Sequence, residues 1–224
     1  MLKLENINFH FGEKIIFEKL NLSFTEGQVH GIVGKNGIGK TTLFRNMAGI
    51  YRPQSGNLLF NDRPLKKDDI SFLPTSPYFY PYINGGEYIK LVNGSISPKI
   101  SQYADLLDLP LNQLIDTYST GMKKKVAFLG AISQDRPVLI LDEPFNGVDL
   151  ESNEILKSII LKEKRGRVLL ISSHILSSLT NISDSIYFIQ KGFIVDIYAK
   201  NEFTKLEAII QNDIEEKINR AGVL

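Results

Sequence analysis

Apolar and polar residues alternate through the first third of the chain, a pattern typical of half-buried β-strands. LKLENINFHF (2–11) and LNLSFTEG (20–27) alternate in this way, and QVHGIVG (28–34) is a short apolar run ending in glycine. KTTLFRNMAG (40–49) then has helical spacing closed by a glycine, and ISFL (70–73) predicts one more short strand. The pattern predicts a strand-rich start with a single early helix.

Residues 84–133 change to apolar spacing that predicts helices, with Gly, Ser and Pro between the segments. The predicted helical segments are GEYIKLV (86–92), KISQYADLLDL (99–109), LNQLIDTY (111–118) and MKKKVAFLGAIS (122–133). This block interrupts a chain that otherwise alternates between strands and helices, so we expect it to be an insertion on the sheet.

After Pro137 strands and helices alternate again, which favours an α/β fold with an open, mostly parallel sheet flanked by helices. The predicted strands are VLILD (138–142), RVLLIS (167–172), SIYFIQ (185–190) and FIVDIY (193–198), the last two flanking a turn at Lys191-Gly192. The predicted helices are ESNEILKSIILKEK (151–164), ILSSLTNIS (175–183) and one or two helices within 201–222.

Composition narrows the class of protein without identifying it. The 224 residues carry a net charge of +1, so nothing in the overall charge favours a nucleic-acid partner, and none is expected. Cysteine is absent, which excludes disulfides and thiolate metal sites, and the three histidines are far apart in sequence. The N-terminus lacks the apolar stretch of a signal peptide, and no apolar run approaches the roughly 18 residues of a membrane span. We therefore expect a soluble, cytoplasmic protein.

A glycine-rich stretch follows the third predicted strand and precedes the first predicted helix. GKNGIGKTT (34–42) fits the pattern G-x-x-x-x-G-K-[ST], whose mechanism requires that placement. Glycines let the backbone wrap around phosphate oxygens, and the helix N-terminus adds a favourable partial charge. Lys40 would reach the β- and γ-phosphates, and Thr41 would offer its hydroxyl to Mg²⁺. The predicted phosphate-binding residues are Gly34, Lys35, Asn36, Gly37, Ile38, Gly39, Lys40, Thr41 and Thr42.

Two adjacent carboxylates end the apolar strand of VLILDEP (138–144). Ligands of an open α/β sheet bind at the carboxyl ends of its strands, where Asp142 and Glu143 lie. Asp142 would hold Mg²⁺ through water, and Glu143 would orient the attacking water as general base. The alternative is that the two carboxylates only cap a helix.

The stretch YSTGMKKKV (118–126), placed before this strand, resembles the LSGGQ signature of ATP-binding cassette (ABC) ATPases. Ser119 and Gly121 match the signature, whereas Thr120 and Met122 depart from it. In that family the signature caps the ATP held by the opposite subunit. The lysines at 123–125 are unfavourable for the helix dipole, and a solvated face or an anion contact would explain them.

Other segments resemble the same family in the same order along the chain. Asn-Gly-Val-Asp (146–149) occupies the D-loop position, where Asp149 would couple two sites. His174 follows two serines after a strand, as the H-switch histidine does, and would contact the γ-phosphate and the catalytic centre. Phe11 resembles the aromatic residue that stacks on adenine, with Phe9 as the competing choice.

The resemblance covers about residues 2–198 and implies a P-loop NTPase fold with an N-terminal antiparallel β subdomain. It implies one domain, with a nucleotide-binding core at 1–75 and 134–198, a helical subdomain at 76–133 and a helical tail at 199–224. It also implies ATP and Mg²⁺, a homodimer or a pair with a second ATPase subunit, and a separate transmembrane permease subunit. Through that permease the protein would sit on the inner face of the cell membrane.

Thr75 stands where this family has the glutamine of the Q-loop. The loop after it, SPYFYPYINGGEYI (76–89), is rich in uncharged aromatic residues and lies where the family forms a groove for a helix of the membrane partner. The expected function is an ATP-hydrolysing subunit that drives transport, with the Ser-Thr-Gly-Met signature favouring export. The alternatives are a stand-alone or regulatory ABC-type ATPase and a P-loop kinase or GTPase, although the Asn-Lys-x-Asp guanine motif is absent.

Overall fold

The computed structural model describes residues 1–190 and 193–220, so the predicted turn at Lys191-Gly192 lies outside the described residues. The described strands are β1 (Leu2–Phe11), β2 (Lys14–Phe24), β3 (Val29–Val33), β4 (Ser55–Phe60), β5 (Arg63–Pro64), β6 (Ile70–Leu73), β7 (Val138–Asp142), β8 (Val168–Ser173), β9 (Ser185–Gln190) and β10 (Phe193–Ala199).

The described residues also contain seven α-helices. They are α1 (Lys40–Met47), α2 (Gly85–Asn93), α3 (Pro98–Leu106), α4 (Thr120–Ser133), α5 (Leu150–Glu163), α6 (Ser177–Thr180) and α7 (Phe203–Arg220). Short 3₁₀ turns lie at Lys67–Asp69, Ile115–Thr117 and Lys200–Glu202. None of the helices in the described part of the chain is both long and apolar enough to cross a lipid bilayer.

The strands form two sheets. The main sheet has the order β10-β9-β3-β8-β7-β6 and is parallel except for the β9–β10 pair. The other is an antiparallel sheet of order β2-β1-β4-β5, built from the first part of the chain. Helices α2, α3 and α4 all lie between β6 and β7 in the chain. The predicted α/β architecture, with its antiparallel N-terminal sheet and inserted helical block, is confirmed.

Strand β7 shows why a continuous apolar run is needed in this fold. Leu139 and Leu141 pack into the core shared with the inserted helices, α5 and the start of α7. Val138 and Ile140 point to the other face, into the core shared with α1 and the antiparallel sheet. All four side chains are fully buried, as expected for a parallel strand covered on both faces. The carboxylate-bearing end of the strand is thereby held rigidly.

Residues 111–118 do not form the helix that their apolar spacing predicts. Their backbone pairs with the start of α2 instead: Gly86 donates to the Leu111 carbonyl at 2.9 Å, and Ile115 donates to the Ile83 carbonyl at 2.9 Å. Only the 3₁₀ turn at Ile115–Thr117 remains. The predicted helix was wrong because non-local backbone hydrogen bonds replaced the local ones, which periodicity alone does not reveal.

The helix predicted over 175–183 is also much shorter than expected, covering only Ser177–Thr180. Ser178 donates its hydroxyl to the Ile175 carbonyl at 2.7 Å and lies 2.8 Å from the Ser173 hydroxyl. Serine side chains that bond to nearby backbone groups compete with helical hydrogen bonding. The C-terminal segment, by contrast, forms one helix, α7, which buries Phe203 and Leu206 in the core.

Candidate functional site

The glycine-rich loop joins β3 to α1, as its sequence pattern requires. Gly37 and Gly39 have positive φ angles of 79° and 119°, which side-chain-bearing residues adopt at a cost in strain. A Cβ on Gly39 would also lie 3.1 Å from Ile16 and 3.3 Å from Phe17 of β2. The turn therefore needs glycine there, and it aims the free N–H groups of the α1 N-terminus at the cavity beside the loop.

That cavity has a volume of about 360 Å³. Its lining residues are Asn36, Gly37, Gly39, Lys40, Thr41, Thr42, Thr75, Glu143, Asn146 and His174. The structure thus brings together six of the predicted phosphate-binding residues with Glu143 and His174. The remaining loop residues, Gly34, Lys35 and Ile38, line a separate cavity of about 460 Å³ against α7.

Lys40 is almost completely buried, and its ammonium group is held in place. Its Nζ donates to the Gly34 carbonyl at 2.6 Å and to the Lys35 carbonyl at 3.3 Å, and it lies 3.8 Å from Glu143 Oε1. Burial lowers the pKa of the Lys40 ammonium, while the charges of Glu143 and Asp142 oppose that shift. The geometry presents a fixed positive charge to the cavity, which suits a polyphosphate.

Asp142 is fully buried and accepts three hydroxyl hydrogen bonds. Thr41 and Thr75 donate to Oδ2 at 2.8 and 2.6 Å, and Ser172 donates to Oδ1 at 2.5 Å. A carboxylate and two hydroxyls that converge at one edge of a phosphate cavity are the hard oxygen donors that Mg²⁺ prefers. Mg²⁺ usually completes its shell with water and substrate phosphates, so this sparse donor set fits it.

Glu143 is held in an unusual backbone conformation beside the cavity. Its φ is 53°, in the left-handed region that is uncommon for a glutamate, and its N–H donates to the Ser172 hydroxyl at 3.0 Å. Its carboxylate Oε2 lies 2.9 Å from Nδ1 of His174. Ser172 therefore links the carboxylate of Asp142 to the backbone of Glu143, and the left-handed turn directs the Glu143 side chain into the cavity.

The lysines after the signature do not form a solvated face. Lys124 and Lys125 are only 6% and 8% exposed. Lys125 donates to the Leu107 carbonyl and to the Ser152 hydroxyl, both at 3.0 Å. Lys124 donates to the Thr75 carbonyl at 2.7 Å. Burial lowers the pKa of Lys124, and the charges of Asp142 and Glu143 oppose that shift. The interpretation as a solvated face was wrong for both lysines.

Ser119, Gly121 and Asp149 lie outside the lining of the phosphate cavity. The exposed Ser119 caps α4 by accepting from the Met122 N–H at 3.2 Å, and the exposed Asp149 caps α5 by accepting from the Ser152 N–H at 2.8 Å. A Cβ on Gly121 would lie 3.1 Å from the Gly147 carbonyl, so the signature packs closely on the D-loop segment. Together they form a surface with two capped helix N-termini.

Phe11 belongs to an aromatic cluster at the end of β1. Its ring is 47% exposed, whereas Phe9 is only 4% exposed. The Phe11 ring meets Phe9 and Tyr51 edge-on, at centroid distances of 4.9 and 5.4 Å. Phe11 is therefore the one of the two candidates with a surface free for stacking. Tyr51 was missed because it lies 40 residues away, and no sequence signal marked it.

The aromatic loop after Thr75 is divided between core and surface. Tyr78, Tyr80 and Tyr82 are 73%, 56% and 82% exposed. Phe79 instead turns inward, and its ring lies 5.0 Å from that of Tyr88. Phe79 is partly buried against the helical block, so the larger exposed aromatic surface of this loop belongs to the three tyrosines.

A strand–loop–helix phosphate site, with carboxylates at the end of a parallel strand two positions away in the sheet, defines the class of P-loop NTPases. A family model described as "ABC transporter" matches residues 17–146, which is more than half of the chain. The chain belongs to the ABC transporter family, in which it corresponds to the ATP-binding subunit.

Two relatives show how far this similarity extends. An uncharacterized ABC transporter ATP-binding protein of Bacillus subtilis, YhcH, is 31% identical, and the alignment covers all of this chain and 78% of YhcH. The cobalt import ATP-binding protein CbiO of Salmonella typhi is also 31% identical, with 87% of this chain and 79% of CbiO covered.

A solved structure described as an ATP binding subunit of an ABC transporter has the same fold. Its TM-score is 0.81 at 22% identity, and the superposition covers 89% of this chain and 90% of the other. At that identity the comparison supports the fold alone.

Proposed function

We propose that the chain hydrolyses ATP with Mg²⁺ and so drives transport through a separate membrane subunit. The observation that carries this proposal is the meeting of Lys40, Glu143 and His174 around one cavity, with Asp142 fixed behind it. Family membership gives an ATP-binding chain, and these side chains supply what hydrolysis needs.

Each residue then has a defined task. The loop N–H groups and Lys40 bind the β- and γ-phosphates, and Thr41 with Asp142 would hold Mg²⁺, which neutralises charge on the phosphate oxygens. Glu143 accepts the proton of the attacking water as general base. His174, whose Nδ1 lies 2.9 Å from Glu143, orients that carboxylate and would contact the γ-phosphate.

We propose that the active form contains two ATPase subunits, either identical or different. Ser119, Gly121 and Asp149 lie outside the lining of their own cavity, and Ser119 and Asp149 are exposed. The capped N-terminus of α4 is suited to an anion, so it would close on the ATP of the opposite subunit. Phe11, exposed beside Tyr51, would stack on the adenine.

We also propose that the exposed tyrosines after Thr75 contact the membrane subunit. Uncharged, exposed aromatic side chains are enriched in protein interfaces. The helical block at 76–133 would then form the docking subdomain between the core at 1–75 and 134–198 and the tail at 199–224. The chain would sit on the inner face of the cell membrane, held there by the permease.

Direction and cargo belong to that membrane subunit in this proposal. The signature sequence favoured export, but the relative CbiO is named for cobalt import. The ATP site described here acts on phosphates alone, and none of its residues distinguishes one cargo from another.

The first test is steady-state ATP hydrolysis by the purified chain. We expect turnover that requires Mg²⁺ and is abolished by EDTA. The ion that Thr41 and Asp142 would hold is the group that neutralises charge on the phosphate oxygens. Phosphate release with ATP and with GTP, each with and without Mg²⁺, measures this directly. A chain that binds ATP but releases no phosphate, alone or with its permease, would instead be a regulatory module.

The docking surface is tested with the three exposed tyrosines. Tyr78→Ser, Tyr80→Ser and Tyr82→Ser together should abolish co-purification with the membrane subunit, because most of the exposed aromatic area is lost. ATP hydrolysis by the isolated chain should stay near the wild-type value, since these side chains lie outside the cavity lining.

The matched control is Tyr51→Ser, a tyrosine on the aromatic cluster of Phe11, which should leave co-purification intact. Co-purification that survives the triple substitution would place the permease contact elsewhere. The lack of any membrane partner would favour a stand-alone ATPase.

A further inference from the structure

A chain of two hydrogen bonds connects α4, the helix that Ser119 caps, with the carboxylate of the proposed metal site. Lys124, in the second turn of α4, donates to the Thr75 carbonyl at 2.7 Å. Thr75 donates its hydroxyl to Asp142 Oδ2 at 2.6 Å, and Thr41 donates to the same oxygen at 2.8 Å. One side chain of the inserted helical block thus contacts the backbone of the residue whose hydroxyl bonds to Asp142.

We propose that Lys124 is a positioning residue for ATP hydrolysis, which anchors the Thr75 segment so that its hydroxyl stays on Asp142. The proposal rests on the proposed ATPase function. The threonine side chain is short. Its hydroxyl can reach Asp142 only while the backbone of this segment is held close to β7. The hydrogen bond from Lys124 provides that hold.

Burial argues that Lys124 does more than fill space. An ammonium group withdrawn from water is destabilising unless it is well paired, and a methionine would fill the same volume without that penalty. Among the described residues, Lys124 makes its hydrogen bond to one neutral carbonyl, whereas Lys125 bonds to a carbonyl and a hydroxyl and lies 4.0 Å from Asp149. Lys125 therefore locks the helix, and Lys124 holds the loop.

The position of Lys124 also gives the helical block a route to the metal site. Ser119 caps the helix that carries Lys124, so a shift of the exposed signature end moves the ammonium group that holds Thr75. A second subunit that closes on Ser119 would thereby act on the Thr75–Asp142 contact of this chain. This coupling between the subunit contact and the proposed metal site involves only the helix segment 119–124, Thr75 and Asp142.

The test is a double-mutant cycle between Lys124→Met and Thr75→Val, measured as kcat and KM for Mg²⁺-ATP. Each single substitution should lower kcat by roughly tenfold with little change in KM, since each removes one charge-assisted or hydroxyl bond. The double variant should be no slower than Thr75→Val alone, because Lys124 acts through Thr75. Losses that multiply in the double variant would overturn the proposal.

Lys123→Met is the matched control, because it removes the same charge from the same helix. Lys123 makes no side-chain hydrogen bond or ion pair within the described residues. Lys123→Met should leave kcat and KM near the wild-type values, and a Lys124→Met variant with the same kinetics as Lys123→Met would also overturn the proposal. If Lys124→Met does not fold, Lys124→Gln replaces it in the same cycle.

Hydrogen exchange supplies a readout that needs no turnover. The backbone amides of residues 75, 76 and 78–80 should exchange faster in Lys124→Met than in wild type or Lys123→Met, because the anchor of the segment is gone. Unchanged exchange counts against this inference even if the chain is an active ATPase. A wild-type chain without Mg²⁺-dependent hydrolysis counts instead against the proposed function.

Discussion

Glu143→Gln is expected to lower the kcat of ATP hydrolysis by at least about 100-fold, the usual contribution of a general base. Glutamine keeps the shape of the side chain but cannot accept the proton of the attacking water. The substitution also replaces the carboxylate whose Oε2 lies 2.9 Å from Nδ1 of His174. Phosphate release at saturating Mg²⁺-ATP measures the effect, and the affinity for ATP should change little.

The same variant should accumulate as an ATP-bound dimer. If hydrolysis reopens the closed pair, blocking it leaves both ATP molecules trapped between the subunits. Size-exclusion chromatography with light scattering, with and without ATP, detects the change in mass. Glu154→Gln is the control, because Glu154 is an exposed glutamate of α5 that pairs with Lys157 on its own helix. A Glu143→Gln chain that stays monomeric with saturating ATP would contradict the proposed closure of two subunits around ATP.

The phosphate loop and the paired carboxylates were predictable because their chemistry depends on neighbouring residues in the chain. The 34–42 stretch needs a strand before it and a helix after it, and both are visible as local patterns. Asp142 and Glu143 end an apolar strand, which fixes the sheet edge on which they lie. Local pattern and function coincide at these positions.

The two buried lysines were not predictable from local pattern. Three consecutive lysines at a helix N-terminus resemble a solvated stretch, and two of them are nevertheless buried. Their partners, the carbonyls of Thr75 and Leu107, lie 49 and 18 residues away. A backbone carbonyl leaves no mark in the sequence, so the position of Lys124 close to Thr75 and Asp142 is visible only in the folded structure.

The packing of Phe79 and the backbone pairing of residues 111–118 could not be predicted from the sequence, for the same physical reason. Phe79 packs on Tyr88, and the 111–118 segment gives its backbone carbonyls to the N-terminus of α2. Both contacts depend on how the inserted block folds back on itself. Periodicity reports which face of an isolated element is apolar, and it says little about a segment whose hydrogen bonds are non-local.

Lys40→Met is expected to weaken ATP binding by about 100-fold, since a charge-assisted bond to phosphate contributes roughly 1.5–3 kcal/mol and tenfold corresponds to about 1.4 kcal/mol. The side chain is only 6% exposed, and its ammonium is held by two loop carbonyls beside Glu143. Methionine fills the volume without the charge. Titration with a fluorescent ATP analogue, in the presence of Mg²⁺, measures the affinity.

The stability of the Lys40→Met variant separates a binding role from a packing role. Burial lowers the pKa of the Lys40 ammonium, because the folded chain stabilises the charged form less well than water does. Removing the charge should therefore leave the melting temperature of the ligand-free chain unchanged or raise it, while affinity falls. Lys157→Met, a mostly covered lysine on α5, is the control for affinity. A Lys40→Met chain that melts much earlier would mean that the lost affinity reflects a disturbed loop.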